Sequence, residues 1–150
     1  MKVHFICNGN IFRSIIAEAY LQSLGIAGMQ VISSGTMADA HREANRSHQP
    51  SVISLLNKHG LLPFYKSEPD QLTQARTDNQ DITICLNAIA YANAQRIVTL
   101  PPDTIIWNIT DIGEADRIAV NGDRSELSEL VFNEVKQQVD ALIRDSILDS

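Results

Sequence analysis

One stretch near the N-terminus constrains the fold more than any other. Val3-His4-Phe5-Ile6 is a short apolar run, and it leads directly into Cys7-Asn8-Gly9-Asn10-Ile11-Phe12-Arg13-Ser14. From Ser14 to Leu24 the apolar residues Ile15, Ile16, Ala19, Tyr20 and Leu24 recur at helical spacing, and Gly25 supplies a stop. Strand, polar loop and helix follow in that order. The alternation continues. Gln30–Ser33 reads as a second strand with a turn at Ser34-Gly35, and Met37–Gln49 is polar and reads as a loop. Pro50 suits the first turn of a helix carrying Val52, Ile53, Leu55, Leu56 and His59, which Gly60 ends and Pro63 keeps from continuing. Leu72–Arg76 predicts a short helix. Ile82–Leu86 and Ile97–Leu100 predict strands three and four, on either side of the helix-capable Asn87–Gln95. Pro101-Pro102 breaks the chain, Ile105-Ile106-Trp107 is a further apolar segment, and Asn108–Arg124 reads as a loop. Asp123 and Glu126 make a capping-box-like pair for a last helix with Leu127, Leu130, Val131, Val135, Val139, Leu142, Ile143 and Ile147 in one stripe. This order predicts an α/β fold of three layers, a four-stranded parallel sheet with helices on both faces.

A chain of 150 residues has room for one core, so a single domain over 1–150 is expected. Lys plus Arg number 12 against 18 for Asp plus Glu, a net charge of −6. That balance argues against nucleic acid and anionic membrane surfaces as partners. The N-terminal apolar run is too short for a signal peptide, and no run approaches a membrane span. A cytoplasmic protein is expected. Two cysteines, Cys7 and Cys85, make neither a disulfide framework nor a zinc site, so free thiols and no metal are expected.

In open parallel sheets ligands bind beyond the carboxyl ends of the strands, which singles out the loop Cys7–Ser14. The N–H groups of such a loop can converge on one point, and the helix that follows adds positive partial charge. Gly9 permits the tight turn, and Asn10 tolerates a left-handed backbone. Arg13 offers a planar fork matched to two oxygens of a tetrahedral oxyanion. A sulfur at the mouth of this nest is in surroundings that favour its anion, and the Ser14 hydroxyl can donate to it. These are the parts of a metal-free covalent phosphoryl-transfer site. Cys7 would be the nucleophile, with Asn8, Gly9, Asn10, Ile11, Phe12, Arg13 and Ser14 around the phosphate.

The segment resembles the phosphate-binding loop of the low-molecular-weight protein tyrosine phosphatase family, written C-x-G-N-x-C-R-S-P. Cys7, Gly9, Asn10, Arg13 and Ser14 match it. Ser33-Ser34-Gly35-Thr36 is similar to the family's S-A-G-T, chiefly at Gly35-Thr36, and the resemblance implies that Ser33 or Ser34 braces Asn10. It also implies a flavodoxin-like topology, no cofactor, and as ligands a phosphorylated protein or small phosphomonoester, with inorganic phosphate or a similar oxyanion in the loop. Phe12 stands where eukaryotic members carry a second Cys, and Ile15 where the family has Pro.

The family takes the leaving group's proton from an Asp-Pro pair on a late loop, and this chain has no Asp-Pro. The positional match is Trp107-Asn108-Ile109-Thr110-Asp111-Ile112, with Asp111 as the acid and Asp116 as the second candidate. The rim segments Ala38–Arg42 and Ile112–Glu114 lack the aromatics that flank phosphotyrosine in the family, and His41 is the only ring there. Trp107, Tyr65 and Cys85 read as packing residues. The resemblance therefore implies a phosphomonoesterase acting on protein phosphotyrosine. The alternatives are an arsenate reductase of the same fold, for which Trp107 to Asp111 is also a match, and an oxyanion binder with little turnover.

Overall fold

The computed structural model describes residues 1–110 and 124–147. Strand β1 (Lys2–Cys7) is buried from Val3 to Cys7, as a strand covered on both faces must be. It is flanked by β2 (Gln30–Gly35) and β3 (Ile82–Cys85), and β4 (Ile105–Ile106) completes the order β2-β1-β3-β4. Every pairing is parallel. Phe5 lies opposite Ser33 and Ile84, and Ile6 lies opposite Ser34 and Cys85.

Side chains alternate across a strand, so this register sorts them into two sets. Val3, Phe5, Cys7, Ile84 and Leu86 enter the larger core. Helices α1 (Arg13–Ser23), α3 (Gln49–Lys58) and α6 (Arg124–Leu142) cover it. Ile6 and Cys85 enter a smaller cluster with Leu72, Val98 and Ala90 and Ala94 of α5 (Ala88–Gln95). Helices thus lie on both faces of the sheet, the three-layer α/β arrangement the alternation predicts. Helix α6 docks through Val131, Phe132, Val135, Val139 and Leu142, each contributing about 1.5–3 kcal/mol if fully buried. Leu130 falls outside that stripe at 47% exposure.

The expected turn at Ser34-Gly35 is instead the end of β2, paired with Ile6 and Cys7, and three further sequence expectations need correction. Ile97–Leu100 is not the fourth strand. The Ile97 and Val98 amides both donate to the Ala94 carbonyl at 3.0 Å, so the run closes helix α5 as a turn. Only Val98 is drawn into the smaller cluster. A short apolar run carries no period that separates these outcomes. The strand is Ile105–Ile106, reached after a turn in which Thr104 N–H donates to Pro101. Second, Met37–Gln49 is not a plain loop. It contains α2 (Arg42–Asn45) and a 3₁₀ turn, Arg46–His48, before α3 begins at Gln49. Arg42 fixes it through Asp39, Glu68 and the Pro69 carbonyl. Third, the helix expected from Leu72 is α4 (Gln74–Thr77). Thr73 caps it by accepting from Arg76 N–H, and Leu72 instead pairs with Gly35. Asp123, half of the expected capping pair, lies outside the described residues.

Candidate active site

β1 delivers Cys7 to the carboxyl edge of the sheet, and the chain after β2 is bonded to the loop. Thr36 N–H donates to the Cys7 carbonyl at 2.9 Å and Met37 N–H to that of Asn8 at 2.8 Å. The two segments approach closely because Gly35 lacks a side chain. A Cβ there would stand 2.7 Å from the Asn8 carbonyl oxygen and 2.8 Å from the Asn10 nitrogen. The Asn8 amide oxygen accepts from Thr36 Oγ1 at 2.7 Å and from Asn93 of α5 at 3.2 Å.

Asn10 is the hub of the loop. It is fully buried and has a left-handed backbone, φ 52°. Its Oδ1 accepts from Asp70 N–H at 2.8 Å, which fixes the orientation of the amide. Its Nδ2 then donates to Ser14 Oγ at 2.8 Å and Ser33 Oγ at 2.9 Å. Each hydroxyl has one proton, and both accept from Asn10. Ser14 therefore aims its proton at Cys7 Sγ, 2.9 Å away, and Ser33 donates to Glu18 Oε2 at 3.1 Å. Asn10 N–H also donates to Cys7 Sγ at 3.1 Å. Two donors aimed at one sulfur stabilise negative charge there.

Phe12 is buried, Ile11 packs against the core, and no side chain caps α1 among the described residues. Arg13 is buried at the first helical position, its Nη1 3.5 Å from the Ile109 carbonyl oxygen. The structure thus gathers Cys7, Asn8, Gly9, Asn10, Ile11, Phe12, Arg13 and Ser14 at one helix N-terminus. Asp111, Ile112 and Asp116 lie outside the described residues. The described chain leads to Thr110, whose amide and hydroxyl donate to Glu134 of α6.

Ser34 is not among the bracing residues. It sits opposite Ile6, so its side chain points to the α5 face, where Arg76 Nε donates to it and His4 Nε2 lies at 2.8 Å. Ser33, opposite Phe5, points the other way and meets Asn10. Sequence reasoning also missed a charged layer beneath the loop. Glu18, Lys66, Asp70 and Arg76 surround Ser33. Burial raises the Glu18 carboxyl above its usual range, an effect Lys66 and the Ser33 bond only partly offset. Burial also pushes Asp70 upward, but the bond from Lys66 and the charges of Lys66, Arg76 and Arg42 outweigh it, and its net shift is downward. The one sequence signal was a carboxylate, Glu18, on the apolar side of α1.

Cys85 is fully buried, and burial, with a smaller effect from Cys7, pushes its thiol up to about 12. Both cysteines are free. Trp107 packs on Phe5, and Tyr65 is partly buried against the larger core. Among the described residues no cluster of three His, Cys, Asp or Glu side chains could hold a metal. No described helix is long and apolar enough to cross a membrane.

A buried cysteine at a strand end, an arginine at the following helix start and a loop wired between them form one local arrangement on an α/β sheet. The chain matches the low molecular weight phosphotyrosine protein phosphatase family over residues 2–145, and it belongs to that family. It is 27% identical to the glutaredoxin arsenate reductase of Synechocystis sp. (strain ATCC 27184 / PCC 6803 / Kazusa) over 142 residues, 95% of each chain. It is 33% identical over 90 residues to the low molecular weight phosphotyrosine protein phosphatase of Sus scrofa, 57% of this chain and 54% of that protein. The fold is shared with the arsenate reductase from Archaeoglobus fulgidus DSM 4304, at a TM-score of 0.65 and 21% identity, covering 95% of this chain and 99% of that one.

Proposed function

We propose that the protein hydrolyses phosphate monoesters, protein phosphotyrosine among them, through a phosphocysteine at Cys7. The observation that carries this reading is the pair of donors on the sulfur, Ser14 Oγ at 2.9 Å and Asn10 N–H at 3.1 Å. Cys7 Sγ attacks phosphorus as a thiolate and forms the S–P bond while the ester P–O bond breaks. Asp111 gives its proton to the departing oxygen. Arg13 and the loop N–H groups hold the three equatorial oxygens, where charge accumulates. Water then attacks phosphorus with Asp111 taking its proton, and the sulfur leaves as a thiolate that Ser14 stabilises. Asp111 follows directly on Thr110, one residue past the carbonyl that Arg13 approaches. Thr36, Met37 and Asn93 are hydrogen-bonded to Asn8 beside the loop, and none of them is aromatic. That composition suits a phosphomonoester without demanding an aryl group.

Arsenate reduction is the second reading, favoured by the match to the Synechocystis reductase over 95% of each chain. Cys85 is poorly suited to resolve Cys7 in that chemistry. It faces the opposite side of the sheet and its thiol is held protonated. An external thiol would have to do so.

The deciding experiment is hydrolysis of an aryl phosphate at mildly acidic pH in the presence of chelator. Turnover that disappears in Cys7→Ser and falls in Asp111→Asn is expected. No turnover by the wild type, with thiol-dependent arsenate reduction in its place, would transfer the protein to the second reading.

A further inference from the structure

The amide of Asn10 sets the direction of the Ser14 and Ser33 hydroxyls, and Ser14 meets the Cys7 sulfur, so whatever holds both ends of that amide also shapes the nucleophile. Its Oδ1 is held by Asp70 N–H and its Nδ2 by Ser33 Oγ. Asp70 and Ser33 are far apart in sequence, and one guanidinium joins them. Arg76 Nη2 donates to the Ser33 carbonyl at 2.9 Å and lies 3.5 Å from Asp70 Oδ2. Its Nε donates to Ser34 Oγ at 2.8 Å, and Ser34 is shared with fully buried His4. Lys66 Nζ reinforces the same two points, at 2.9 Å from the Ser33 carbonyl and 3.0 Å from Asp70 Oδ2. Arg76 itself sits on α4, whose first turn is capped by Thr73.

We propose that Arg76 is a positioning residue for Cys7: it ties the end of β2 to the Asp70 segment and so holds Asn10 from both sides. The planar fork is essential to this task. Three acceptors from two segments are met by adjacent nitrogens of one rigid group, which a lysine ammonium on a flexible stem does not reproduce. Lys66 shares only two of the three acceptors, so it supports the clamp without replacing it. The ionisable groups facing this assembly are Glu18 of α1, Arg42 of α2, Lys66, Asp70 and Arg76 of the 66–76 segment, and His4 of β1. Burial, followed by the charges of Arg76 and Lys66, lowers His4 to about 3, so it stays neutral beside Ser34.

This role rests on Cys7 being the reactive group, and the test reads the sulfur directly. The rate at which iodoacetamide alkylates Cys7, located by mass spectrometry, is followed across pH for the wild type, Arg76→Met and Arg76→Lys, alongside kcat and KM for an aryl phosphate. In Arg76→Met, alkylation at mildly acidic pH and kcat should each fall about tenfold, within the hundredfold that ångström-scale misplacement of a group can cost, with KM changed less than about twofold. Arg76→Lys should recover part of the loss. A wild-type alkylation profile in both variants, whatever their thermal stability, would overturn the proposal. Should Arg76→Met fail to fold, Arg76→Lys and Ser34→Ala, which removes one acceptor, carry the same test. An absence of phosphatase turnover in the wild type would sink the hydrolytic reading, yet the alkylation arm would still decide on the clamp.

Discussion

β1 and β3 lie side by side, parallel, each with a buried polar residue in matching register and each ending in a cysteine. His4 stands opposite Thr83, and Cys7 and Cys85 close their strands. Burial hardly distinguishes the two thiols, which are 2% and 0% exposed. The chain beyond each strand does. After Cys7 a left-handed Asn10 turns the backbone so that one amide and one hydroxyl aim at the sulfur. After Cys85, Asn87 spends its side chain capping Ala90 of α5, and the thiol is left among Ile6, Leu72, Ala90, Ala94 and Val98. The two cysteines are thus distinguished by the loop rather than by the strand or by depth, and the proposed reactivity of Cys7 rests on that loop.

The sharpest test of that difference is selective labelling. Iodoacetamide should modify Cys7 of the folded protein at least about a hundredfold faster than Cys85, and unfolding in urea should bring the two rates together. Cys85→Ala should keep hydrolysis intact and cost about 1 kcal/mol of stability through the lost packing. Comparable labelling of both thiols in the native protein would erase the distinction.

The comparison can also be broken from the loop side. Gly35→Ala pushes a methyl group against the Asn8 carbonyl and the Asn10 nitrogen, backbone atoms that cannot step aside. It should cost about 1–3 kcal/mol and take the fast labelling of Cys7 with it. Gly60→Ala is the control. Its φ of 72° makes any side chain strained, at about 1–2 kcal/mol, but nothing lies within 4 Å, so Cys7 should react as before. Urea melts together with labelling rates check both.

His4 separates the strands by pH. Its pKa is lowered from 6.5 to about 3 by burial and then by the charges of Arg76 and Lys66. The folded state therefore refuses a proton that the unfolded chain accepts. The stabilisation is complete above pH 6.5 and is lost as pH falls towards about 3, at up to about 1.4 kcal/mol per pH unit. Thr83, its partner on β3, does not titrate. His4→Gln should flatten this part of the urea-midpoint-against-pH curve, and an unchanged slope would show that other groups produce it.

Much of this was readable in the sequence, and the limits have physical causes. The strand–loop–helix run from Val3 to Leu24 announced itself because polar Asn8 to Asn10 interrupts two segments of different period. Cys7, Arg13 and Ser14 are brought together by local geometry alone, which one stretch of sequence encodes. Ser33 and Ser34 could not be told apart, because which of two neighbours faces a loop depends on register, and register is set by partner strands distant in sequence. Arg76 and Lys66 were invisible for the same reason, since their partners come from β2. Ile97–Leu100 misled because an apolar run of four residues fits a strand and a helix exit equally well.

The smallest effect asks whether β3 has a polar purpose at all. Around Asn10 each amide atom is bonded, yet His4 Nδ1 and Thr83 Oγ1, facing each other across β1 and β3, find no partner among the described residues. Arg76 donates to Ser34, and Ser34 in turn meets His4 Nε2, so the satisfied half of the imidazole is turned to β2. A buried hydroxyl without a partner is a net cost, and valine has nearly the shape of threonine. Thr83→Val should therefore leave thiol reactivity unchanged and raise stability by up to about 1 kcal/mol. A fall of similar size would mean that the hydroxyl is bonded after all, through a water shared with His4 Nδ1, because such a water is costly to lose. The sign of this one change decides whether β3 only fills space beside β1 or shares in its hydrogen bonding.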